Sequence, residues 1–413
     1  MALRMLLQKF WLSIDTFYKI SMNKKLSIFT TNKSVQLFVY FIINSLFILK
    51  YVPRTGLNSY FVLPLYFAVF FLVYFILQKY ILPSTEKKIR ILYWLLIFVA
   101  LITILVILHI VNPFNLRIDR WSALSFFWDS LLQGHYPYGA HTHLRINSFP
   151  SAFPLWLYII FPFYLMGDVG YELLFFLIIT ALAVRYFYGS YQKSFIFIFL
   201  LLISPAYWYE ISVRSDSLSN GLFAFIIILW LIKTNRTLAN SFILSILVCG
   251  AVASTRFSAI IPIALFLLQP YMKLSLKRKI IFPVSIIGIA FLLLSPFIFW
   301  DTTTWVFLTR NPFIAQTGNG NIYFLVLMII IGLFMALRWK NTNQLFNCIS
   351  IFMFIFMLGS QFVSLISAGQ YNLFSDSISD ISYLNLALPY CLIYLSASLN
   401  SREIKSTDQS LSQ

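Results

Sequence analysis

Charged residues are scarce in this chain of 413 residues: they make up 10% of it, against 60% hydrophobic residues and a mean hydropathy of +0.83. Soluble globular domains carry roughly 25% charged residues, so the composition excludes that class. Cysteines are also few, and Cys249, Cys348 and Cys391 each lie alone in an apolar run. Their spacing predicts neither a disulfide nor a metal centre.

Apolar stretches recur along the chain, near residues 35–50, 60–78, 91–111, 150–166, 171–187, 193–208, 218–234, 240–254, 257–271, 281–299, 321–338, 345–365 and 382–398. The stretch 150–166 contains Pro150, Pro154 and Pro162, which favour a re-entrant or interfacial segment over a straight crossing. The sequence therefore predicts an all-α polytopic membrane protein with about 12 transmembrane helices, within a range of roughly 11 to 13.

Lysines and acids lie in alternate connections between these stretches. The positive-inside rule places the lysine-rich connections and both termini in the cytoplasm. The other connections contain the acids Asp119, Asp129, Asp168, Glu172, Glu210, Asp216, Asp301, Asp376 and Asp380, accompanied by arginines. We expect Asp168, Glu172 and Asp301 to be ordinary solvated loop acids. The pattern predicts a multi-pass protein of the plasma (inner) membrane with its functional site on the external face.

The chain divides into four predicted parts. Residues 1–34 are basic and lack a cleavable signal, and we interpret them as a cytoplasmic arm that contacts anionic lipid rather than nucleic acid. Residues 35–90 form a transmembrane hairpin, and residues 91–400 form the main transmembrane domain. Residues 401–413 are a cytoplasmic tail.

The longest external loop, residues 112–150, is the most informative segment. From Trp121 onward, one helical face contains Trp121, Leu124, Trp128, Leu131 and Leu132, and the other contains Ser122, Ser125, Asp129 and Gln133. This pattern predicts a helix that lies in the membrane interface. Asp119 precedes the helix, between Arg117 and Arg120, which should keep its carboxylate ionised and able to act as a base.

The same loop resembles the first external loop of GT-C glycosyltransferases, and most closely their mannosyltransferase-like branch, which uses polyprenyl-phosphate sugars. Asp119, the turn LLQGHYPYG and the stretch FPSAFPLW carry the resemblance, with Ser151 in place of a second proline. It covers about residues 90 to 400. The segment 35–90 is then an extra N-terminal hairpin in a GT-C-like architecture.

The resemblance implies transfer of a hexose, such as mannose, from a polyprenyl-phosphate sugar to a glycolipid or glycan acceptor. Asp119 is the expected general base, a role that contributes about 10²–10⁴ in rate. The expected substrate-binding residues are Arg120, Asp129, His135, Tyr138, Arg214, Asp216, Arg256, Arg310 and Asp380. For Asp216 and Asp380, ion pairs with arginines are an equally open interpretation.

Arg256 interrupts an apolar run, where an unpaired guanidinium costs several kcal/mol, so it needs either a partner or an anionic ligand. No cofactor is expected. The spacing of His141 and His143 can bind a metal, but no third ligand is evident, so a divalent cation is not indicated.

Three alternatives to a transferase stay open. An envelope-polysaccharide polymerase also has many helices and external arginines, but usually in two large loops. A lipid or solute transporter should show internal repeats and charges near the bilayer midplane. The third alternative is an inactive scaffold with this fold.

Overall fold

The computed structural model describes residues 33–144, 148–301, 303, 305–317, 321–369, 372–374 and 380–399, so the predicted N-terminal arm (apart from Lys33 and Ser34) and the C-terminal tail lie outside the described residues. These residues form α-helices joined by short turns, and no strand occurs among them. The helices are α1 Lys33–Tyr51, α2 Ser59–Ile76, α3 Glu86–Ile110, α4 Arg120–Leu132, α5 Pro154–Leu165, α6 Glu172–Tyr188, α7 Tyr191–Leu202, α8 Pro205–Ser212, α9 Asp216–Lys233, α10 Phe242–Ala253, α11 Phe257–Met272, α12 Leu276–Ile298, α13 Pro312–Thr317, α14 Ile322–Ala336, α15 Thr342–Ser367 and α16 Leu388–Ser398. The predicted all-α class is confirmed.

Eight helical stretches in the described part of the chain are long and apolar enough to cross a membrane. Helices α7 and α8 are bent by 63° at a short break, and they make a ninth candidate if they are counted as one span. Helices α5, α10, α11 and α14 are apolar but shorter. The chain is therefore a polytopic membrane protein, and the predicted number of about 12 crossings stays a prediction.

Burial differs strongly among these stretches. The stretch that ends in α16 is 83% buried within the protein, whereas the stretch that begins with α2 is only 11% buried. Helix α2 exposes large apolar side chains such as Tyr60 and Phe61, which a bilayer would cover. Helices such as α16 and α9 thus form the protein core, and α2 lies at the periphery.

Helix α1 belongs to the core, although it comes from the predicted N-terminal hairpin. Its Gln36 donates to Asn347 Oδ1 of α15 at 2.7 Å and accepts from Ser350 Oγ at 2.8 Å. One helical turn later, the Tyr40 hydroxyl donates to Leu200 O of α7 at 2.9 Å. Interhelical hydrogen bonds of this kind hold membrane helices together where the surroundings offer no water.

Helix α5 is short, and its start is fixed to another part of the bundle. Its 12 residues span about 18 Å, less than a hydrocarbon core of about 30 Å. The backbone N–H groups of Phe153 and Leu155 donate to Thr255 O and Ser254 O at 2.9 and 3.1 Å, at the junction of α10 and α11. The interpretation of this segment as re-entrant or interfacial stays a prediction, because α10 has the same number of residues.

The helix predicted from Trp121 onward is present as α4, and the first part of its polar face is buried in the protein. Ser122 is 0% exposed and Ser125 is 7% exposed, whereas Leu132 is 61% exposed. The Ser122 hydroxyl is satisfied inside the protein, because it lies 2.6 Å from His143 Nδ1 and 3.0 Å from Asp119 O. This part of the polar face packs against a polar part of the protein, whereas Gln133 on the same face is exposed. The position of the helix in the membrane interface stays a prediction.

Candidate functional site

Asp119 immediately precedes helix α4, and two hydroxyl groups of the loop after this helix donate hydrogen bonds to its carboxylate. Its Oδ2 accepts hydrogen bonds from Thr142 Oγ1, at 3.1 Å, and from Ser148 Oγ. No hydrogen bond from a described residue reaches Oδ1, and the residue is partly exposed. One carboxylate oxygen thus accepts from two hydroxyls, while the other has no hydrogen-bond partner among the described residues.

Arg120 does not pair with Asp119, although the two are neighbours in the sequence. Its guanidinium forms an ion pair with Asp380 and donates to Ser217 Oγ and, at 2.8 Å, to Ser382 Oγ. The Arg120 guanidinium also lies over the Tyr383 ring at 5.1 Å. Arg120 therefore forms no ion pair with Asp119, because partners from α9 and from residues 380–383 satisfy the guanidinium instead.

The attraction between Arg120 and Asp380 outweighs the effect of burial on the pKa of both groups. Burial alone would lower the pKa of Arg120, but the negative charge of Asp380 raises this pKa well above its usual value. Burial likewise acts to raise the pKa of Asp380, yet the Arg120 charge and hydrogen bonds from Ser382 lower it overall. Both groups are therefore charged at neutral pH.

Arg256, the arginine expected to need a partner or an anion, has a partner. Its Nη2 and Nε donate to Asp216 Oδ2 at 2.6 and 3.1 Å, and its Nη1 donates to Ser151 Oγ at 3.2 Å. The two side chains are 7% and 1% exposed. This buried pair joins the start of α11 to the start of α9, and Ser151 adds the segment before α5.

Arg214 forms a third ion pair and fixes the junction of α8 and α9. Its Nε donates to Asp168 Oδ2 at 2.7 Å, and its Nη2 donates to Leu108 O at the end of α3. Asp168 also accepts from Trp121 Nε1 of α4 at 3.1 Å. The arginine backbone has a φ of 50°, which is rare outside glycine, so these contacts hold a strained turn in place.

Arg310 differs from these three arginines. Its Nη1 donates to Gly139 O at 3.0 Å and lies 3.4 Å from His141 Nε2. The Tyr136 hydroxyl donates to Arg310 O at 2.7 Å, which fixes the arginine backbone against the turn that follows α4. Among the described residues, no carboxylate lies within 4.0 Å of its guanidinium. Of the four predicted arginines, Arg310 is the one whose charge is open to a ligand.

Three other predicted site residues contribute to none of these ion pairs. Tyr138 is 0% exposed; it packs on Phe127 and Phe297 and donates to Ala152 O at 3.0 Å, so it presents no surface to a ligand. Asp129 accepts from Tyr164 OH at 2.6 Å and joins α4 to α5. His135 is exposed on the loop after α4.

Two buried acids, Glu172 and Glu210, were not predicted from the sequence to be site residues. Glu172 is 1% exposed, which contradicts its interpretation as a solvated loop acid, and Glu210 is 0% exposed. Glu210 Oε1 accepts from Asn385 Nδ2 at 3.0 Å, and neither acid has a lysine or arginine within 4.0 Å in the described part of the chain. The sequence signal for both residues was their position beside apolar runs. A buried acid is costly there, so its presence is a reason to expect a function.

The structure thus brings together residues that are far apart in the sequence. We call this region the acid-rich end of the bundle; it comprises Asp119, Arg120, Asp168, Glu172, Glu210, Arg214, Asp216, Arg256 and Asp380. Within the described ranges, no three histidine, cysteine or acidic side chains lie close enough to hold a metal ion.

Comparisons with known proteins do not identify a family. No protein-family model matches the chain, and neither a curated protein nor a solved structure is significantly similar to it.

Proposed function

We propose that this chain is a GT-C-type glycosyltransferase that transfers a hexose from a polyprenyl-phosphate sugar to a glycolipid or glycan acceptor. The observation that supports the proposal is that the Asp119 carboxylate has no cationic partner among the described residues. Of the three predicted acids in the cluster, Asp216 and Asp380 have arginine partners, whereas Asp119 has none among the described residues. A partly exposed carboxylate with one free oxygen is a suitable general base.

In the proposed reaction, the acceptor hydroxyl attacks the anomeric carbon of the donor sugar. Its proton passes to Asp119 Oδ1 as the new C–O bond forms, and the bond from the anomeric carbon to the phosphate oxygen breaks. Thr142 and Ser148 orient the carboxylate through Oδ2. The polyprenyl phosphate leaves with the bonding electron pair.

Arg310 is the proposed binding group for the donor phosphate. Its guanidinium lacks a carboxylate partner in the described residues, and the Gly139 carbonyl positions one of its nitrogens. A guanidinium presents several N–H donors in one plane, which suits the oxygens of a phosphate. The imidazole of His141 lies beside it and can donate a further hydrogen bond.

The predicted membrane topology is consistent with this proposal. If the bent pair α7–α8 is one span, nine long spans and the shorter helices α10, α11 and α14 give 12 crossings, with α5 not crossing. Both termini would then lie in the cytoplasm, and the acid-rich end would face outward. The donor phosphate would meet Asp119 and Arg310 at the external surface of the plasma (inner) membrane.

One observation favours a second candidate, a solute transporter. Transporters bind substrates and ions at broken transmembrane helices that contain buried charged groups. Here the break between α7 and α8 is followed by the buried Glu210. Uptake of labelled sugars and amino acids into proteoliposomes, with no transfer activity, would favour this candidate.

The test of the proposed function is transfer of radiolabelled hexose from polyprenyl-phosphate mannose and polyprenyl-phosphate glucose into lipid or glycan in reconstituted vesicles. We expect Asp119→Asn to abolish the transfer that the wild type performs. Asp301→Asn is the matched control, because Asp301 caps its own turn through Thr303 and lies outside the cluster. Transfer that survives in Asp119→Asn would refute the assigned base, and absence of transfer by the wild type would refute the proposed function.

A further inference from the structure

Behind the ion pairs of the acid-rich end lies a group of buried polar atoms that lack partners in the described residues. These atoms are Glu172 Oε1 and Oε2, Glu210 Oε2, Asp216 Oδ1, Ser219 Oγ, both amide atoms of Asn220, and Asn385 Oδ1. Their residues are each at most 1% exposed. Buried polar groups are almost always hydrogen-bonded, so such a concentration points to a bound species that satisfies them.

The elements that carry these residues pack against one another. Glu172 begins α6; its carboxyl lies near the Ser219 hydroxyl of α9 and interacts electrostatically with Asp216, Arg256 and Glu210. Asp216 and Asn220 are four residues apart on α9, hence on one face of that helix. The Asn385 amide nitrogen donates to Glu210 Oε1 at 3.0 Å, so an amide and a carboxyl group that each have one unpartnered oxygen are in direct contact.

The chemistry of the group is unbalanced in two respects. Six of the atoms are acceptor oxygens from Glu172, Glu210, Asp216, Asn220 and Asn385, and two, the Asn220 nitrogen and the Ser219 hydroxyl, can donate; in or next to α8, Arg214 Nη1 and the hydroxyls of Tyr207 and Tyr209 also lack partners. In addition, the charges of Arg120 and Arg256 are matched by those of Asp380 and Asp216, which leaves two carboxyl groups without a cation. A buried carboxylate without a counter-ion is costly, so each of these two acids holds either a proton or a cation.

We propose that this group binds a monovalent cation, with Na⁺ as the probe, in the interior of the bundle between α6, α8, α9 and residues 381–386. Carboxylate and amide oxygens are the ligands that hard cations prefer. No three of the described acids lie close enough to share one ion, so we assign the ion to the carboxyl groups of Glu172 and Glu210 and the amide oxygens of Asn220 and Asn385, while Asp216 stays paired with Arg256. The adjacent break between α7 and α8 is the setting in which membrane proteins place alkali cations.

The site is independent of the transferase reaction, so it can be tested without an activity assay. The full chain in nanodiscs would be heated in NaCl, KCl or choline chloride at one ionic strength. We expect a saturable rise of the Tm with Na⁺ relative to choline, because a ligand that binds only the folded state stabilises it. Glu210→Gln and Glu172→Gln should lose this rise, whereas Glu86→Gln, at an exposed position on α3, should keep it.

Binding of ²²Na⁺ to purified protein gives a second measurement, and Asn220→Ala should weaken it at least tenfold in case the glutamate variants do not fold. A wild-type Tm that is the same in NaCl and choline chloride would overturn the proposal. So would a sodium-dependent rise that persists in both glutamate variants, because the ion would then bind elsewhere. Polar atoms satisfied by buried water alone would produce the first of these results.

Discussion

The buried pair Arg256–Asp216 allows a quantitative test of how this end of the bundle is held together. Replacing Arg256 with Met keeps the length of the side chain but removes its charge and its donors. Asp216, 1% exposed, would then lose both hydrogen bonds to Oδ2 and its counter-ion. Removing one partner of a buried ion pair costs about 3–5 kcal/mol. In the double variant Arg256→Met/Asp216→Leu no charge is left unpaired, so most of this cost should be recovered.

The assay is the thermal or denaturant unfolding of the four proteins of this cycle in detergent: wild type, the two single variants and the double variant. At about 2 °C per kcal/mol for a large chain, Arg256→Met should lower the Tm by about 6–10 °C. We expect a coupling energy of at least 2 kcal/mol, at the upper end of the range of about 0.5–3 kcal/mol found for residues in contact.

Ser151→Ala is the control, because Ser151 contributes a single 3.2 Å hydrogen bond to the same arginine and should cost about 1 kcal/mol. If the destabilisations of the two single variants simply add in the double variant, the two side chains are not coupled and the assigned ion pair is refuted. It is also refuted if Arg256→Met costs no more than Ser151→Ala.

Three further predictions follow from the same geometry. Gly170→Ala should lower the free energy of unfolding by about 1–3 kcal/mol, because the new Cβ would lie 2.9 Å from Arg214 Cγ and from Leu108 Cδ2. Gly288→Ala is the control: no atom lies within 4 Å of its Cβ position, so in thermal unfolding it should be neutral or stabilising. The pKa of Asp380 is lowered in the folded protein, so its pair with Arg120 stabilises above the usual Asp range and is lost as the pH falls through the folded pKa. The Tm difference between wild type and Asp380→Asn should therefore be constant from about pH 5 to 8 and shrink only below the usual pKa of 3.8; convergence near neutral pH would contradict this. Arg310→Ala should raise the KM for the polyprenyl-phosphate donor at least tenfold and leave the Tm within about 1 °C of the wild type. An unchanged KM would exclude the assigned phosphate contact.

The helices could be predicted from the sequence because their signal is local. Apolar runs of sufficient length and proline positions identify the spans and the short helix α5, and the apolar pattern from Trp121 identifies α4. The need of Arg256 for a partner or an anion was also predictable, because it depends only on an arginine inside an apolar run. These inferences use the physics of single residues and of neighbours along the chain.

The contacts of the site were not predictable in the same way. The three arginine–aspartate pairs join residues separated by 40, 46 and 260 positions, and no local pattern selects them. The burial of Ser122 and Ser125 on the polar face of α4 was not predictable either, because periodicity separates polar from apolar surroundings but cannot distinguish water from a polar protein interior. For Ser122 that interior is His143, and only the folded loop brings it there.

The geometry at Asp119 gives a further reason to assign a function to this residue. An aspartate at the start of a helix normally accepts a hydrogen bond from the backbone in the first turn, which stabilises by about 0.5–2 kcal/mol. Asp168 and Asp380 do so at the starts of their 3₁₀ helices, through the N–H groups of Gly170 and Ser382. Asp119 forms no such cap, and its carboxylate turns instead to Thr142 and Ser148 in the loop. Positions where a chain departs from a local stabilising rule concentrate at functional sites, and here the departure leaves Oδ1 open beside a set of neutralised ion pairs. A purely structural aspartate at this position would cap α4, so the observed orientation favours a role in binding or proton transfer.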